Sequence, residues 1–130
     1  MGKLFFLLIL WIFFLFSSEV QLSNQNLIGK WKLKKVLSDP GDGSGTFEVI
    51  KSDKIIEFYP NGTLMSNGSL CGPFHQVGKK SNGFFSKVKK TISPIDCGKA
   101  IELIYELENG YLIIHYSCKE SCAEKYEKVK

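Results

Sequence analysis

The stretch NLIGKWKLKKV, residues 26–36, decides the fold, because a glycine and a tryptophan stand two positions apart at the start of an alternating run. Trp31, Leu33 and Lys35 fall on one face of an extended chain, and the intervening lysines fall on the other. A period of two residues is typical of a β-strand with one buried face. We therefore predict that the first strand of the domain begins at Gly29-Lys30-Trp31.

Similar alternating runs follow along the chain and are separated by turn residues. PNG at 60–62 and ENG at 108–110 predict hairpin turns. Seven or eight consecutive antiparallel strands have two exposed edges unless the sheet closes on itself. The sequence thus predicts an all-β, antiparallel up-and-down (meander) β-barrel. Beyond the first strand, its predicted strands are 54–59, 63–69, 84–92, 100–107, 111–117 and 123–129.

The N-terminus differs in composition from the rest of the chain. Lys3 precedes thirteen apolar residues, 4–16, which end at Ser17-Ser18-Glu19. This layout is typical of a secretory signal peptide, and the run is shorter than the about 20 residues of a transmembrane helix. We predict a signal peptide over 1–18 and one domain over 19–130, exported to the periplasm, the cell envelope or the medium, without stable membrane insertion after cleavage. A retained interfacial anchor is the alternative.

All four cysteines lie in the predicted exported part. An even number of cysteines in an exported chain indicates disulfides. Zinc is the alternative, but the spacing of Cys118 and Cys122 is not C-x-x-C, and the two histidines complete no known ligand pattern. Three pairings are open. We favour a local Cys118–Cys122 bridge at a hairpin tip, which leaves Cys71 to pair with Cys97.

Composition disfavours several classes of function. The 130 residues carry a net charge of +4, and all 17 basic residues are lysine. The absence of arginine disfavours nucleic-acid recognition, where the guanidinium fork is preferred. The chain shows no nucleophile motif and no acid–base pair, so we predict no enzyme and no cofactor. Asp39 and Asp42 suggest a calcium loop, but Gly41 and Gly43 occupy positions where an EF-hand needs ligands, so we predict no metal.

A basic and aromatic segment stands out in the middle of the chain. It contains Phe84 and Phe85 and five lysines, Lys79, Lys80, Lys87, Lys89 and Lys90. Contact with anionic lipid or glycan is one interpretation of this composition. A solvated strand face is the other.

Four stretches together resemble the lipocalins and the wider calycin group, and more closely the small exported lipocalin-like domains of bacteria. They are LIGKWKL at 27–33, LSDPGDGSGTFE at 37–48, FYPNGTLMSNGSLC at 58–71 and YSCKESCAEKY at 116–126. The resemblance implies that Trp31 closes one end of the barrel and that Gly29 allows the tight entry into the strand. The family usually lays an arginine of the last strand across this tryptophan. This chain has none, and Lys125, Lys128 or Lys130 can take that place.

The resemblance implies a monomeric binding module for a small hydrophobic ligand. Alternation along the strands selects the candidate inward, ligand-binding side chains, which are Ile56, Phe58, Leu103, Tyr105, Leu112, Ile114 and Tyr116. These side chains are bulky, and a small barrel can be filled by its own residues. The alternative is therefore a filled barrel that serves the cell envelope as an interaction or structural protein without a ligand.

Overall fold

The computed structural model describes residues 26–118 and 121–130. The predicted signal peptide and residues 19–25 lie outside this part of the chain. The described residues form nine β-strands: β1 Gly29–Asp39, β2 Phe47–Val49, β3 Ile55–Phe58, β4 Thr63–Ser66, β5 Ser81–Ser86, β6 Thr91–Pro94, β7 Leu103–Glu108, β8 Tyr111–Ser117 and β9 Ser121–Lys128.

Eight of the strands form a closed antiparallel barrel. From β3 to β9 each strand pairs with the next one in the sequence, and β1 joins the two ends of the sheet by pairing with β3 and β9. The short β2 pairs with the second half of β1. The predicted up-and-down barrel is therefore confirmed, and closure leaves the long first strand without an exposed edge.

The first strand is irregular in its middle. Its register against β9 shifts between Leu33, which faces Tyr126, and Lys35, which faces Lys125. This bulge interrupts the alternation. Lys35 is only half-buried and does not continue the inner face with Trp31 and Leu33, whereas Val36 packs against the core. The simple period-two expectation for Lys35 is corrected by the bulge.

The strand predicted over 84–92 is also corrected, because the structure has a hairpin there. β5 turns at 87–90 into β6, and Phe85 pairs with Ile92. The turn has a local cause, since Ser86 Oγ accepts a hydrogen bond of 3.1 Å from the Lys89 amide and Lys90 has a φ of 54°. Apolar residues on both sides of the turn give the misleading appearance of one continuous strand.

The antiparallel ring defines two ends of the barrel. The Trp31 end contains the start of β1 and the turns 59–62, 87–90 and 109–110, and the mouth contains the connections 40–46, 67–80 and 95–102. One apolar core runs between the two ends. The described part of the chain contains no helix with the length and hydropathy that a membrane span requires.

Candidate functional site at the mouth of the barrel

Trp31 closes one end of the barrel. Its ring is buried, and its Nε1 donates a 2.8 Å hydrogen bond to the carbonyl of Leu27. Lys128 lies over the ring, with Nζ 4.8 Å from the centroid, and donates to the carbonyls of Asn26 and Ile28. Burial lowers the pKa of Lys128 below its usual 10.5. A lysine of the last strand thus covers the tryptophan, as the sequence allowed.

Gly29 is required by this arrangement. Its φ is 120°, in the region that side chains rarely adopt. A Cβ at this position would lie 3.0 Å from Lys128 Cε. The glycine of the opening motif therefore permits both the turn into β1 and the close approach of Lys128.

A buried lysine marks the other end. Lys54 precedes β3 and is completely buried. Its Nζ donates to the carbonyls of Ser69 at 2.8 Å and Phe74 at 2.6 Å, and to Glu124 Oε1 at 3.1 Å. All three ammonium protons therefore have acceptors. Burial lowers the pKa of Lys54, and Glu124 opposes this shift. Two of the acceptors belong to the 67–80 connection, so Lys54 holds that connection across the mouth.

Glu124 is the centre of a buried polar network. Its Oε1 accepts hydrogen bonds from Tyr116 at 2.7 Å and from Tyr126 at 2.8 Å, in addition to the bond from Lys54. Burial is the main cause that raises the pKa of both phenols well above 10.0. The negative charge of Glu124 adds to the shift of Tyr116, and the charges of Tyr116 and Glu124 add to the shift of Tyr126. We call Lys54, Glu124, Tyr116 and Tyr126 the polar plug.

The sequence interpretation missed the two charged members of the polar plug. Lys54 begins the predicted strand 54–59 without any special feature, and Glu124 is one charge among several in a lysine-rich last strand. The signal was nevertheless present. Lys54 lies two residues before Ile56, and Glu124 two residues before Tyr126, so alternation places both charges on the inner face.

His75 lies beside the polar plug. Its Nδ1 is 3.7 Å from Glu124 Oε2, beyond hydrogen-bond distance, and neither buried atom has a hydrogen-bond partner within the described residues. The rest of the imidazole is accessible, since the side chain is 42% exposed. The His75 carbonyl accepts a 2.6 Å bond from Ser52 Oγ, which fixes this part of the 67–80 connection to the chain before β3.

An open groove of about 830 Å³ lies next to His75. It lies beside the middle of β1, between the part that pairs with β3 and the part that pairs with β2. A second cleft of about 380 Å³ lies over Tyr116 and beside Cys71. The first groove is lined by Leu33, Ile50, Val77, three lysines and polar residues; the lysines are Lys32, Lys34 and Lys51.

Both predicted disulfides are confirmed. Cys71 is bonded to Cys97 with a Cα–Cα distance of 5.3 Å, and Cys118 is bonded to Cys122 with a distance of 6.0 Å. The first bridge joins the 67–80 and 95–102 connections, and the second lies at the end of the β8–β9 hairpin. Both bridges are therefore at the mouth, where the connections are longest.

The seven predicted ligand-binding side chains all point into the barrel. Each is at most 7% exposed, and together they belong to one packed core. Leu70, from the 67–80 connection, is completely buried in the same core. The inward orientation follows the alternation as expected, whereas contact of these side chains with a ligand stays a prediction.

The other candidate ligand groups have local partners. Asp39 Oδ1 accepts hydrogen bonds from the amides of Gly41 and Gly43, and Asp42 Oδ1 accepts from Ser44. These bonds shape the 40–46 connection. Among the described residues, the cluster that comes closest to a metal site is Cys71, Asp96 and Cys97, but its two cysteines are bonded to each other. The expectation that the chain binds no metal stays a prediction.

No protein-family model matches this chain, and neither a curated protein nor a solved structure does so. The antiparallel eight-stranded barrel with its tryptophan plug is consistent with a calycin-like fold.

Proposed function

We propose that this protein is an exported lipocalin-like barrel that acts through its outer surface, as an interaction protein of the cell envelope, with its interior filled by its own side chains. The observation that carries the proposal is the burial of all seven inward candidates in one core. The two disulfides support the exported setting, because disulfides persist in oxidising compartments.

The ends of the barrel support the same proposal. Trp31 and Lys128 cover one end, and Leu70 with the polar plug covers the other. An apolar ligand entering from the mouth would have to displace the bonds of Lys54 to Ser69 and Phe74. Exposing or unpairing a buried charge is costly, because the remaining partner stays buried without compensation.

The test is a titration of the purified exported protein with a fluorescent long-chain fatty acid. We expect no saturable binding by the wild type. Leu112→Ala serves as a positive control, because Leu112 is completely buried and an apolar cavity made by truncating such a leucine can stay dry and bind benzene. Benzene should therefore bind to this variant and not to the wild type. Saturable fatty-acid binding that the overpacked variant Leu112→Phe weakens would establish an internal carrier site instead.

A second candidate function is binding of a small amphipathic anion in the groove beside His75. The groove has the volume of a typical ligand site and combines the apolar side chains of Ile50 and Val77 with three lysines. One of these lysines, Lys32, is paired with Asp53 of the same lining at 3.8 Å, so Lys34 and Lys51 are the cations left for an anion. A fatty-acid carboxylate fits this chemistry, since the lysines would contact the head and the side chains of Ile50 and Val77 the chain.

The same titration distinguishes this candidate. Binding in the groove should be weakened by Lys34→Gln/Lys51→Gln and should be lost when a fatty alcohol replaces the fatty acid. Lys79→Gln/Lys80→Gln is the matched control, because it removes the same charge outside the groove lining. Equal weakening by the two double variants would exclude the groove as the site.

A further inference from the structure

The β5–β6 hairpin ends in an exposed apolar residue between lysines. The turn reads Lys87-Val88-Lys89-Lys90, and Val88 is 95% exposed. We call these four residues the hairpin tip. An isolated exposed valine is unremarkable on a protein surface. Val88 differs in that it stands at the extreme of a hairpin with a lysine on each side, so one apolar side chain projects between cationic ones.

The hairpin tip is held firmly at its base. Tyr105 contributes two contacts from β7, since its amide donates to the Lys90 carbonyl at 3.0 Å and its hydroxyl to the Ser86 carbonyl at 3.3 Å. The Lys89 amide donates to Ser86 Oγ. These bonds order the turn while Val88 projects from it. Docking such a tip requires little additional ordering of the chain.

The structure divides the basic and aromatic segment. Phe85 turns inward and meets Phe58 edge to face with centroids 5.2 Å apart, whereas Phe84 is exposed. Lys79 and Lys80 precede β5, and the hairpin tip follows it. Because β5 has six residues, the two lysine groups lie about 20 Å apart.

Charge complementarity indicates an anionic partner. Residues 58–95 contain five lysines and neither aspartate nor glutamate. Three of these lysines belong to the hairpin tip. A lysine close to an anionic bilayer gains about fivefold in binding, and the gain is limited to about a Debye length. A projecting tip brings its charges within that range.

The N-terminal chain joins the domain at the same end. Asn26 is held there by Lys128, and nine residues, 17–25, separate it from the apolar stretch 4–16. The hairpin tip and the start of the described part of the chain therefore lie at the same end of the barrel.

We propose that the hairpin tip is a peripheral contact site for anionic phospholipid bilayers, in which Val88 enters the interface and Lys87, Lys89 and Lys90 contact the headgroups. The inference rests on the proposed function in that it names the partner of a surface-acting barrel. The two proposals can fail separately. The fatty-acid titration tests whether the interior is filled, and the bilayer experiment tests the hairpin tip at the other end of the barrel.

The experiment is co-sedimentation of the exported protein with vesicles of equimolar phosphatidylcholine and phosphatidylglycerol, compared with vesicles of phosphatidylcholine alone. We expect binding to the anionic vesicles that decreases with salt. Lys87→Gln/Lys89→Gln should weaken it by about 25-fold, at about fivefold for each lysine. Val88→Ser should weaken it by about tenfold, in line with loss of a buried aliphatic side chain. Lys79→Gln/Lys80→Gln is the matched control and should change binding by less than about twofold, because these lysines lie beyond a Debye length.

Other outcomes would overturn the proposal. Equal losses in the two double-lysine variants would mean that binding reflects net charge and not the hairpin tip. Binding to the sulfated polysaccharide heparin that needs the lysines but is indifferent to Val88→Ser, without vesicle binding, would assign the tip to polyanionic glycans. Absence of binding to both partners would leave the hairpin tip as a solvated turn. Circular dichroism of each variant verifies that the barrel is intact.

Discussion

Lys54 Nζ donates a hydrogen bond to Glu124 Oε1 over 3.1 Å between two completely buried side chains that are 70 residues apart in sequence. The pair links the chain before β3 to the last strand. Through the carbonyls of Ser69 and Phe74 it also holds the 67–80 connection. Because a buried ion pair contributes to stability only when both partners are present, it makes the mouth of the barrel sensitive to single substitutions.

Lys54→Met should lower the free energy of unfolding by about 3–5 kcal/mol, because Glu124 would remain buried without its cation and two carbonyls without their donor. Urea unfolding measures the change. Lys51→Met is the matched control, since Lys51 is exposed and its replacement should change stability by less than about 0.5 kcal/mol. Lys54→Met/Glu124→Gln should recover part of the loss. A loss below about 1 kcal/mol for Lys54→Met would contradict a buried, fully bonded ammonium.

Stability should decrease at alkaline pH because of Tyr116 and Tyr126. Their folded-state pKa values are raised above 10.0, so the unfolded chain releases these protons first and the folded state loses stability as pH rises above 10.0. Lys54 acts in the opposite direction, since its folded pKa is lowered and its contribution increases with pH up to 10.5. Above pH 10.5 only the two tyrosines, among these three groups, still change the stability with pH, and they lower it.

The measurement is urea unfolding at several pH values above 10.5, together with tyrosinate absorbance. Each tyrosine contributes at most about 1.4 kcal/mol per pH unit to the slope. Tyr116→Phe and Tyr126→Phe should each reduce the slope, and the double variant should reduce it most. An unchanged slope in the double variant would show that other groups cause the alkaline loss.

Gly29→Ala should destabilise the domain by about 1–3 kcal/mol, because a side chain there has an unfavourable backbone conformation and crowds Lys128. Gly41→Ala is the control. Gly41 also has a positive φ, of 96°, but a Cβ would meet no atom within 4 Å. The difference between the two variants in urea therefore reports the contact with Lys128 together with the difference in backbone strain between φ values of 120° and 96°. Equal losses would mean that only the backbone conformation matters at Gly29.

The two disulfides should contribute unequally. Cys71 and Cys97 are 26 residues apart, and loss of this bridge in Cys71→Ala/Cys97→Ala should cost about 3 kcal/mol. Cys118 and Cys122 are 4 residues apart, and their double alanine variant should cost about 2 kcal/mol, because a shorter loop restricts the unfolded chain less. Non-reducing peptide mapping verifies the pairing, and equal losses in urea would contradict the chain-entropy account.

Local pattern in the sequence determined the class of the fold. Alternation places Ile56, Phe58 and Ile114 inside, the hairpin signals at 60–62 and 108–110 coincide with turns, and the glycine–tryptophan motif begins the strand that closes the ring. Spacing along the chain also favoured the local Cys118–Cys122 bridge, and the Cys71–Cys97 pairing then followed by elimination. Apart from the Cys71–Cys97 bridge, each of these features depends on residues that are near one another in sequence, or on a period that the strand itself imposes.

Only the tertiary structure decided which charges are buried and which lysine covers Trp31. Lys54 and Glu124 belong to the inner face by alternation, but sequence alone cannot show that two distant charges meet, since the pairing arises from barrel closure. The bulge after Leu33 and the turn at 87–90 depend on register and on single hydrogen bonds. The sequence left Lys125, Lys128 and Lys130 as candidates. In the barrel Lys128 pairs with Trp31, and the absence of a Cβ at Gly29 leaves room for its side chain, whereas Lys125 lies over Phe47 and Tyr111.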